Sequence, residues 1–394
     1  MIKIITSNTT NAGMNAVIDQ IAKNDHTKGR HIVIVPDAHA LSAEKVVFER
    51  IAPDASHITN AEQVVLEKLK LRGSMNIEVV SFMRFAKKLL AGKIGYTLSK
   101  QGAVLFFKKV INKVQNELVH YAKASLSDGF AGEMYAVIAS IRNNGISVAE
   151  FEESLLKLSG TTLQKAKDIL LLYREYMEVL TEFSDSTTRL EMLQKEISTS
   201  KKVEESYFYL YGFDSLSEKQ IDIIVALSQH SKGVTIALLD TNYGLNHELY
   251  PIGVLERLTY KLKEAKVEID GGESAYEVVK EPFRTLNQNV FAVSKATASD
   301  DKNCIKLFRE SSTYEQYNAV AREILRLVRR EGLRYKDISV IDCIDGASTD
   351  FKEILTRYGI PHFMTKDIHL RCLLFTSTSS VFWMLLGMDI GWIR

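Results

Sequence analysis

The loop at residues 7–14 (SNTTNAGM) has the position of a phosphate-binding loop but lacks its chemistry. It follows an apolar run, Ile2–Ile5, that predicts a buried strand, and it precedes a segment with helical spacing of apolar residues. A nucleotide-binding loop of the form G-x-x-x-x-G-K-[ST] wraps the phosphates with glycine amides, neutralises them with lysine and holds magnesium with a hydroxyl. Here Gly13 stands in place of the lysine and Met14 in place of the hydroxyl.

Two interpretations of this loop remain open from its residues. The backbone amides at the start of the following helix can hold a lone anion. Alternatively, the loop is only a polar connection that closes a strand–helix unit, and this interpretation is favoured. Without a lysine or a magnesium ligand, we do not expect tight binding of a triphosphate. An active NTPase with an unusual loop is the least favoured hypothesis.

The sequence offers no recognisable catalytic motif. It contains no H-E-x-x-H, G-x-S-x-G or G-x-G-x-x-G motif and no Cys/His cluster with the spacing of metal ligands. Its three cysteines, Cys304, Cys343 and Cys372, are far apart, which is typical of reduced thiols in a cytosolic protein. No apolar stretch approaches the roughly 18 residues of a membrane span. We therefore predict no catalytic or metal-ligating residue, no membrane association and a cytoplasmic location.

Local charge is more informative than the net charge of +1. No acidic residue occurs between Glu78 and Glu117, whereas eight basic residues lie in that interval together with five aromatic residues. The basic residues are Arg84, Lys87, Lys88, Lys93, Lys100, Lys108, Lys109 and Lys113, and the aromatic ones are Phe82, Phe85, Tyr96, Phe106 and Phe107. Cations beside aromatic rings are typical of a groove for single-stranded nucleic acid. The alternative is that the rings belong to a helical core and the lysines to a solvated face.

The order of the predicted elements indicates an α/β protein with a parallel sheet that is interrupted by helices. Apolar runs at 2–5, 31–36, 77–81, 206–213 and 233–239 predict buried strands, and helical spacing dominates from 82 to about 200. The predicted organisation is a first α/β domain at 1–80 plus 201–300, a helical insertion at 81–200 and an incomplete second α/β domain at 301–394. The charged segment 264–302 is interpreted as a linker or irregular surface. In the second domain, strands are predicted at 304–310 and 338–344, with helices at Ser312–Arg330 and Phe351–Tyr358.

Several segments in this order resemble a known family. They are VPDAHALSAEKVVFE, VVSFMRFAKKLL, YLYGFDSLSEKQ, and AREILRLVRREGLRYKDISVID followed by YGIPHFM. Their order and spacing are similar to the N-terminal part of the B subunit of bacterial ATP-dependent helicase/deoxyribonucleases of the AddB/RexB type. The resemblance implies a fold like that of superfamily-one helicases.

The resemblance also implies roles for particular residues. The segment VVSFMRFAKKLL is similar to one that lies along single-stranded DNA, which implies DNA contacts for Ser81, Phe82, Arg84, Lys87 and Lys88. Tyr211 stands where the family commonly has the aspartate of its magnesium-binding strand. With Gly13 and Met14, Tyr211 therefore marks a degenerate nucleotide site, one that has been lost.

What the resemblance implies about function is equally specific. An AddB-type protein holds one DNA strand, pairs with the A subunit, which carries the ATP-driven motor, and serves double-strand-break repair and homologous recombination. Its exonuclease domain, with magnesium and a four-cysteine iron–sulfur cluster, lies in a part of the family that these residues do not match, so we expect no cofactor in this chain and no catalysis by it alone. The alternative is a scaffold that docks on the A subunit, called the motor subunit below, with little DNA contact.

Overall fold

The computed structural model describes residues 1–24, 29–50, 76–93, 95–127, 129–181, 183–239, 253–278, 283–289, 305–343 and 348–364. The chain divides into two compact units, Met1–Ala298 and Ser299–Arg394. The first unit contains a parallel sheet of six strands: β1 (Ile2–Ser7), β2 (Arg30–Ile34), β3 (Ile77–Val80), β4 (Ser206–Leu210), β5 (Gly233–Leu239) and β6 (Ile269–Ala275). Their order across the sheet is β3-β2-β4-β5-β1-β6. The predicted α/β class and parallel sheet are confirmed.

The helices of the first unit have the following bounds: α1 (Thr10–Lys23), α2 (Ala40–Arg50), α3 (Phe82–Leu89), α4 (Lys100–Val114), α5 (Phe130–Asn143), α6 (Val148–Ser154), α7 (Gly160–Val179), α8 (Ser186–Ile197), α9 (Lys201–Glu204), α10 (Glu218–His230), α11 (Val254–Glu264) and α12 (Phe283–Asn289). The helices α3 to α9 lie between β3 and β4 with no intervening strand in the described residues. The helical texture predicted for 81–200 is therefore present.

Alternating side chains of each central strand enter two cores, one on each face of the sheet. In β2, Ile32 and Ile34 face one core, while Val33 faces the other. Strands buried on both faces need apolar residues in succession, which is why these strands read as continuous apolar runs in the sequence. Helices α1 and α2 cover one face, and α3, α8, α10 and α11 contribute to the core on the other.

The helical segment contributes to two cores. Helices α3, α8 and α9 bury apolar side chains in the core of the sheet, through residues such as Phe85, Leu193 and Val203. Helices α4, α5 and α7 form a separate core around Phe107, Ile138 and Tyr176. The latter group is a small helical bundle with its own apolar interior.

The segment 264–302 is more regular than its sequence predicts. Strand β6 pairs in parallel with β1 and contains a bulge opposite Ile4 and Ile5, and Gly272 has a φ of 112°. Its side chains are mostly exposed, so the strand lacks the apolar pattern by which the other strands are recognised. The interpretation of this segment as a linker or irregular surface was wrong for Ile269–Ala275, because pairing with β1 rather than burial makes these residues a strand.

The second unit contains α13 (Thr313–Glu331) and α14 (Ser348–Arg357), close to the two predicted helices. Ser312 caps α13 by accepting a hydrogen bond from the Glu315 amide, and Gly332 ends the helix with a φ of 74°. The stacked rings of Tyr317 and Phe351 join the two helices, with centroids 4.7 Å apart.

The strands predicted in the second unit are not observed in its described residues; positions 304 and 344 of these predictions lie outside that part of the chain. Neither 305–310 nor 338–343 is a strand in the described part of that unit. Leu307 is 97% exposed and Ile341 89% exposed, so neither segment is covered on both faces as a buried parallel strand requires. The apolar pattern is present, but the partners that convert such a pattern into a strand are not among the described residues.

Candidate functional site

The loop after β1 is too short to wrap a phosphate. Strand β1 ends at Ser7 and α1 begins at Thr10, which leaves Asn8 and Thr9 between them. Thr9 caps α1 by accepting a hydrogen bond from the Ala12 amide at 3.1 Å. Residues that a phosphate-binding loop would keep open, with free amides, are here part of the first helical turns.

Glu277 contacts both residues of this loop, Asn8 and Thr9, and the sequence did not predict this contact. Its carboxylate accepts a hydrogen bond from the Thr9 hydroxyl at 2.9 Å, and its backbone exchanges two hydrogen bonds with the side chain of Asn8, at 2.8 and 2.9 Å. An anion approaching the start of α1 would meet this carboxylate, and like charges repel. The loop is therefore poorly suited to hold even a lone anion.

Gly13 is in close contact with the sheet. Its amide donates to the Thr9 carbonyl at 3.1 Å within α1. A Cβ atom at this position would lie 2.8 Å from Ser7 Oγ and 3.2 Å from the Cβ of Ala237. Met14 is half-buried against the core under α1. The absence of a side chain at Gly13 thus allows α1 to pack closely against β1 and β5. A larger residue at position 13 would have to displace its neighbours.

Restoring the missing residues is not expected to restore the nucleotide site. We expect the double variant Gly13→Lys/Met14→Thr to be destabilised by about 1–3 kcal/mol, because the added atoms overpack the contact between α1 and the sheet. It should not bind magnesium-ATP in a calorimetric titration. The control is Asn11→Lys, an exposed position in the same turn of α1, which should change the free energy of unfolding by less than about 0.5 kcal/mol. Tight ATP binding by the double variant would contradict this account.

Tyr211 follows directly after β4 and lies beside the same cavity as Gly13. Its hydroxyl is buried and has no hydrogen-bond partner among the described residues, and burial raises the pKa of Tyr211 to about 12. The cavity beside it has a volume of about 10 Å³, close to the space of one water molecule. It is lined by Ser7, Thr10, Gly13, Tyr211, Gly212, Phe213, Ala237 and Leu239. Of the three residues predicted to mark the degenerate nucleotide site, Gly13 and Tyr211 therefore line a space that a phosphate group would overfill, whereas Met14 packs against the core that contains Tyr211.

The five residues predicted to contact DNA divide into two sets. Ser81 is 2% exposed and caps α3, with its hydroxyl 3.4 Å from the Arg84 amide. Phe82 is 4% exposed and packs against Phe213, with ring centroids 5.5 Å apart. Both side chains are buried in this structure, so they position α3 and do not offer a surface to a DNA strand.

The basic members of the set lie on the opposite face of α3. Arg84, Lys87 and Lys88 are spaced i, i+3, i+4 and are exposed, whereas Phe85 and Ala86 are buried in the core of the sheet. Lys88 pairs with Glu78 of the preceding strand. In the described part of the chain, no ion pair involves Arg84 or Lys87. These two cations are therefore available on the exposed face of α3, the helix that directly follows β3.

The acid-free interval of the sequence is not free of acids in space. Besides the pair of Lys88 with Glu78, Lys93 pairs with Glu196 at 2.6 Å and Lys113 with Glu175 at 2.6 Å. Hydrogen bonding to Glu175 raises the pKa of Lys113. In the folded chain, carboxylates therefore neutralise three lysines of the basic stretch, and two of these carboxylates are distant in sequence. Fewer of the basic residues remain without an acidic partner.

The aromatic residues of the interval also divide. Phe82, Phe85 and Phe107 are buried in cores, as the alternative interpretation required. Tyr96 and Phe106 lie outside the cores and contact Phe183, which the sequence did not single out. Phe183 comes just after α7 in the sequence. No sequence pattern indicates its contact with residues about 80 positions earlier.

The described residues contain no group of three or more His, Cys, Asp or Glu side chains that could hold a metal ion. No helix among them is both long enough and apolar enough to cross a membrane.

The parallel sheet, the helices that interrupt it after β3 and the closed loop after β1 define a helicase-like α/β protein. A family model described as "ADDB, N-terminal" matches residues 6–250, which is more than half of the chain. The chain therefore belongs to the family of AddB N-terminal regions, and the resemblance recognised in the sequence is confirmed.

Curated relatives agree with this assignment. The chain is 25% identical over 388 residues to the B subunit of the ATP-dependent helicase/deoxyribonuclease of Clostridium novyi, covering 93% of this chain and 32% of the relative. It is 26% identical over 371 residues to the protein of that name from Caldanaerobacter subterraneus, covering 88% and 30%. For the Staphylococcus epidermidis protein of that name, the identity is 25% over 323 residues, covering 79% and 28%. The chain thus spans about a third of the length of these relatives.

Proposed function

We propose that this chain is the DNA-binding, helicase-like part of a B subunit in an ATP-dependent helicase/deoxyribonuclease complex that acts in double-strand-break repair and recombination. In this role it holds a single DNA strand through α3, pairs with the motor subunit and does not turn over ATP itself. The names of its relatives support membership of such a complex.

One observation carries the DNA-binding part of the proposal. The face of α3 that carries Arg84 and Lys87 is exposed, whereas its other face is fixed in the sheet core by Phe82 and Phe85. A rigidly held helix with available cations can follow a phosphate backbone without having to become ordered first. The closed loop after β1, with Gly13 and Glu277, supports the absence of ATP turnover.

Charge reversal on α3 tests the proposal. We expect Arg84→Glu/Lys87→Glu to weaken binding of a labelled single strand by at least about 10-fold at low salt, because phosphate contacts are lost. The slope of log affinity against log salt should become shallower by about 0.7 for each lost contact. Lys88→Ala should have the smaller effect, because Lys88 is already paired with Glu78. Fluorescence anisotropy over a series of salt concentrations measures both quantities.

The matched control is Lys165→Glu/Lys167→Glu, which reverses two exposed charges on α7. This variant should bind the strand as the unmodified protein does, apart from a small change in long-range attraction. If both double variants lose affinity equally, the attraction is a general effect of charge and α3 is not the contact.

A scaffold with little DNA contact is the second candidate. Exposed apolar side chains in the second unit, above all Leu307 and Ile341, favour a role in contacting other protein segments. Retention of the motor subunit by the chain, without retention of single-stranded DNA at low salt, would support the scaffold over the DNA-binding proposal.

A further inference from the structure

Three aromatic rings form a row on the surface of the helical bundle. The ring centroids of Tyr96 and Phe183 are 6.5 Å apart, and those of Phe183 and Phe106 are 4.6 Å apart. Tyr96 is 82% exposed, while Phe106 and Phe183 are half-buried. At the far end of the row, Lys109 Nζ lies 5.1 Å from the centroid of the Phe106 ring. Tyr96, Phe183 and Phe106 are called the aromatic row below.

The backbone holds the aromatic row in place. Thr97 and Ser184 form a parallel bridge, in which the Leu98 amide donates to the Ser184 carbonyl at 2.9 Å and the Ser184 amide donates to the Tyr96 carbonyl at 3.0 Å. The next residue, Asp185, is buried in an ion pair. Phe106 belongs to α4, which is anchored in the bundle core through residues such as Phe107 and Val110. The rings are therefore presented on a preformed surface, and a ligand would not have to order them.

The charge around the row indicates an anionic ligand with flat rings. Lys100 and Lys109 are exposed, and no ion pair involves either of them within the residues that the structure describes. Bases stack on aromatic side chains and phosphates pair with cations, so single-stranded nucleic acid fits both features. An apolar protein segment would use the rings but not the cation.

We infer that the aromatic row is a second contact for single-stranded nucleic acid, in which bases stack on Tyr96 and its neighbours and Lys109 meets a phosphate. The inference rests on the proposed function, since it extends the path of a bound strand from α3 to the bundle. It adds a contribution that the cations of α3 do not supply. Stacking depends on the presence of bases and depends little on salt, whereas phosphate contacts depend strongly on salt.

The experiment compares an oligothymidylate with an abasic strand of the same length, both labelled, in fluorescence anisotropy with the full chain. We expect Tyr96→Ala to weaken binding of the oligothymidylate by between about 5-fold and about 150-fold, the range of losing one stacked base. The salt slope and the affinity for the abasic strand should stay unchanged. Tyr96→Phe should bind as the unmodified protein does, because it keeps the ring. Tyr260→Ala, at a position 69% exposed on α11, is the matched control.

The possible outcomes distinguish failure of this inference from failure of the proposed function. If Tyr96→Ala binds the oligothymidylate normally while Arg84→Glu/Lys87→Glu binds it weakly, the aromatic row is not a contact and the proposed function stands. If the unmodified protein binds no strand at low salt, both fall. If Tyr96→Ala loses retention of the motor subunit but keeps strand binding, the aromatic row contacts protein and the inference is wrong.

Discussion

Replacement of Asp185 by alanine is expected to lower the free energy of unfolding by about 3–5 kcal/mol, because it leaves a buried guanidinium without its partner. Asp185 is 1% exposed and caps α8 through the Thr188 amide at 2.8 Å. Its other oxygen accepts from Arg142 Nη1 at 2.6 Å and from the Tyr176 hydroxyl at 3.1 Å. One carboxylate thus joins α5, α7 and the start of α8.

The protonation of Tyr176 is consistent with this network. Burial, followed by the negative charge of Asp185, raises the pKa of Tyr176 far above its usual range. The tyrosine therefore remains a hydrogen-bond donor to Asp185 throughout the neutral range. Loss of the carboxylate would leave both this hydroxyl and the side chain of Arg142 without their strongest acceptor.

A double-mutant cycle measured by urea unfolding tests this prediction. Arg142→Met/Asp185→Ala should be more stable than Asp185→Ala, because the double variant has no unpaired buried charge. Asp185→Asn is the conservative control, since it keeps an N-cap oxygen for the Thr188 amide while removing the charge. A loss below about 1 kcal/mol in Asp185→Ala would show that Glu191, 3.8 Å from Arg142, takes over the role of partner.

The second large effect is expected at Phe85, which links the packing of α3 to its proposed function. Phe85 is 4% exposed and meets Phe208 of β4 edge-to-face, with centroids 5.4 Å apart. We expect Phe85→Ala to lower the free energy of unfolding by about 3–5 kcal/mol, the usual cost of emptying an aromatic position in a core. Urea unfolding followed by circular dichroism measures this loss.

Phe85→Ala should also weaken binding of a single strand at low temperature, where the variant is still folded. The reason is that α3 would no longer hold Arg84 and Lys87 in a fixed position. Phe85→Leu, which retains most of the volume, should lose less stability and keep its DNA affinity. If Phe85→Ala is strongly destabilised but binds the strand unchanged, α3 is a structural helix only.

Local sequence patterns were sufficient to predict most of the strands and helices of this protein, as well as its family. Continuous apolar runs predicted β1 to β5, because a strand buried on both faces needs apolar residues at successive positions. Apolar residues at helical spacing predicted the helices after β3, because one face of each helix must be buried, and Ser312 predicted the start of α13. The family was also recognisable, since the order of its segments is a property of the sequence alone.

Only the tertiary structure decided which side chains are available for function. Ser81 and Phe82 have residue types that suit DNA contacts, but packing of α3 on the sheet buries them and exposes Arg84 and Lys87. Glu78, Glu175 and Glu196 neutralise lysines of an interval that contains no acid in the sequence. Phe183 joins Tyr96 and Phe106 across about 80 residues. Ion pairs, stacking and burial depend on distances in space, and a linear pattern determines such distances only within a few residues.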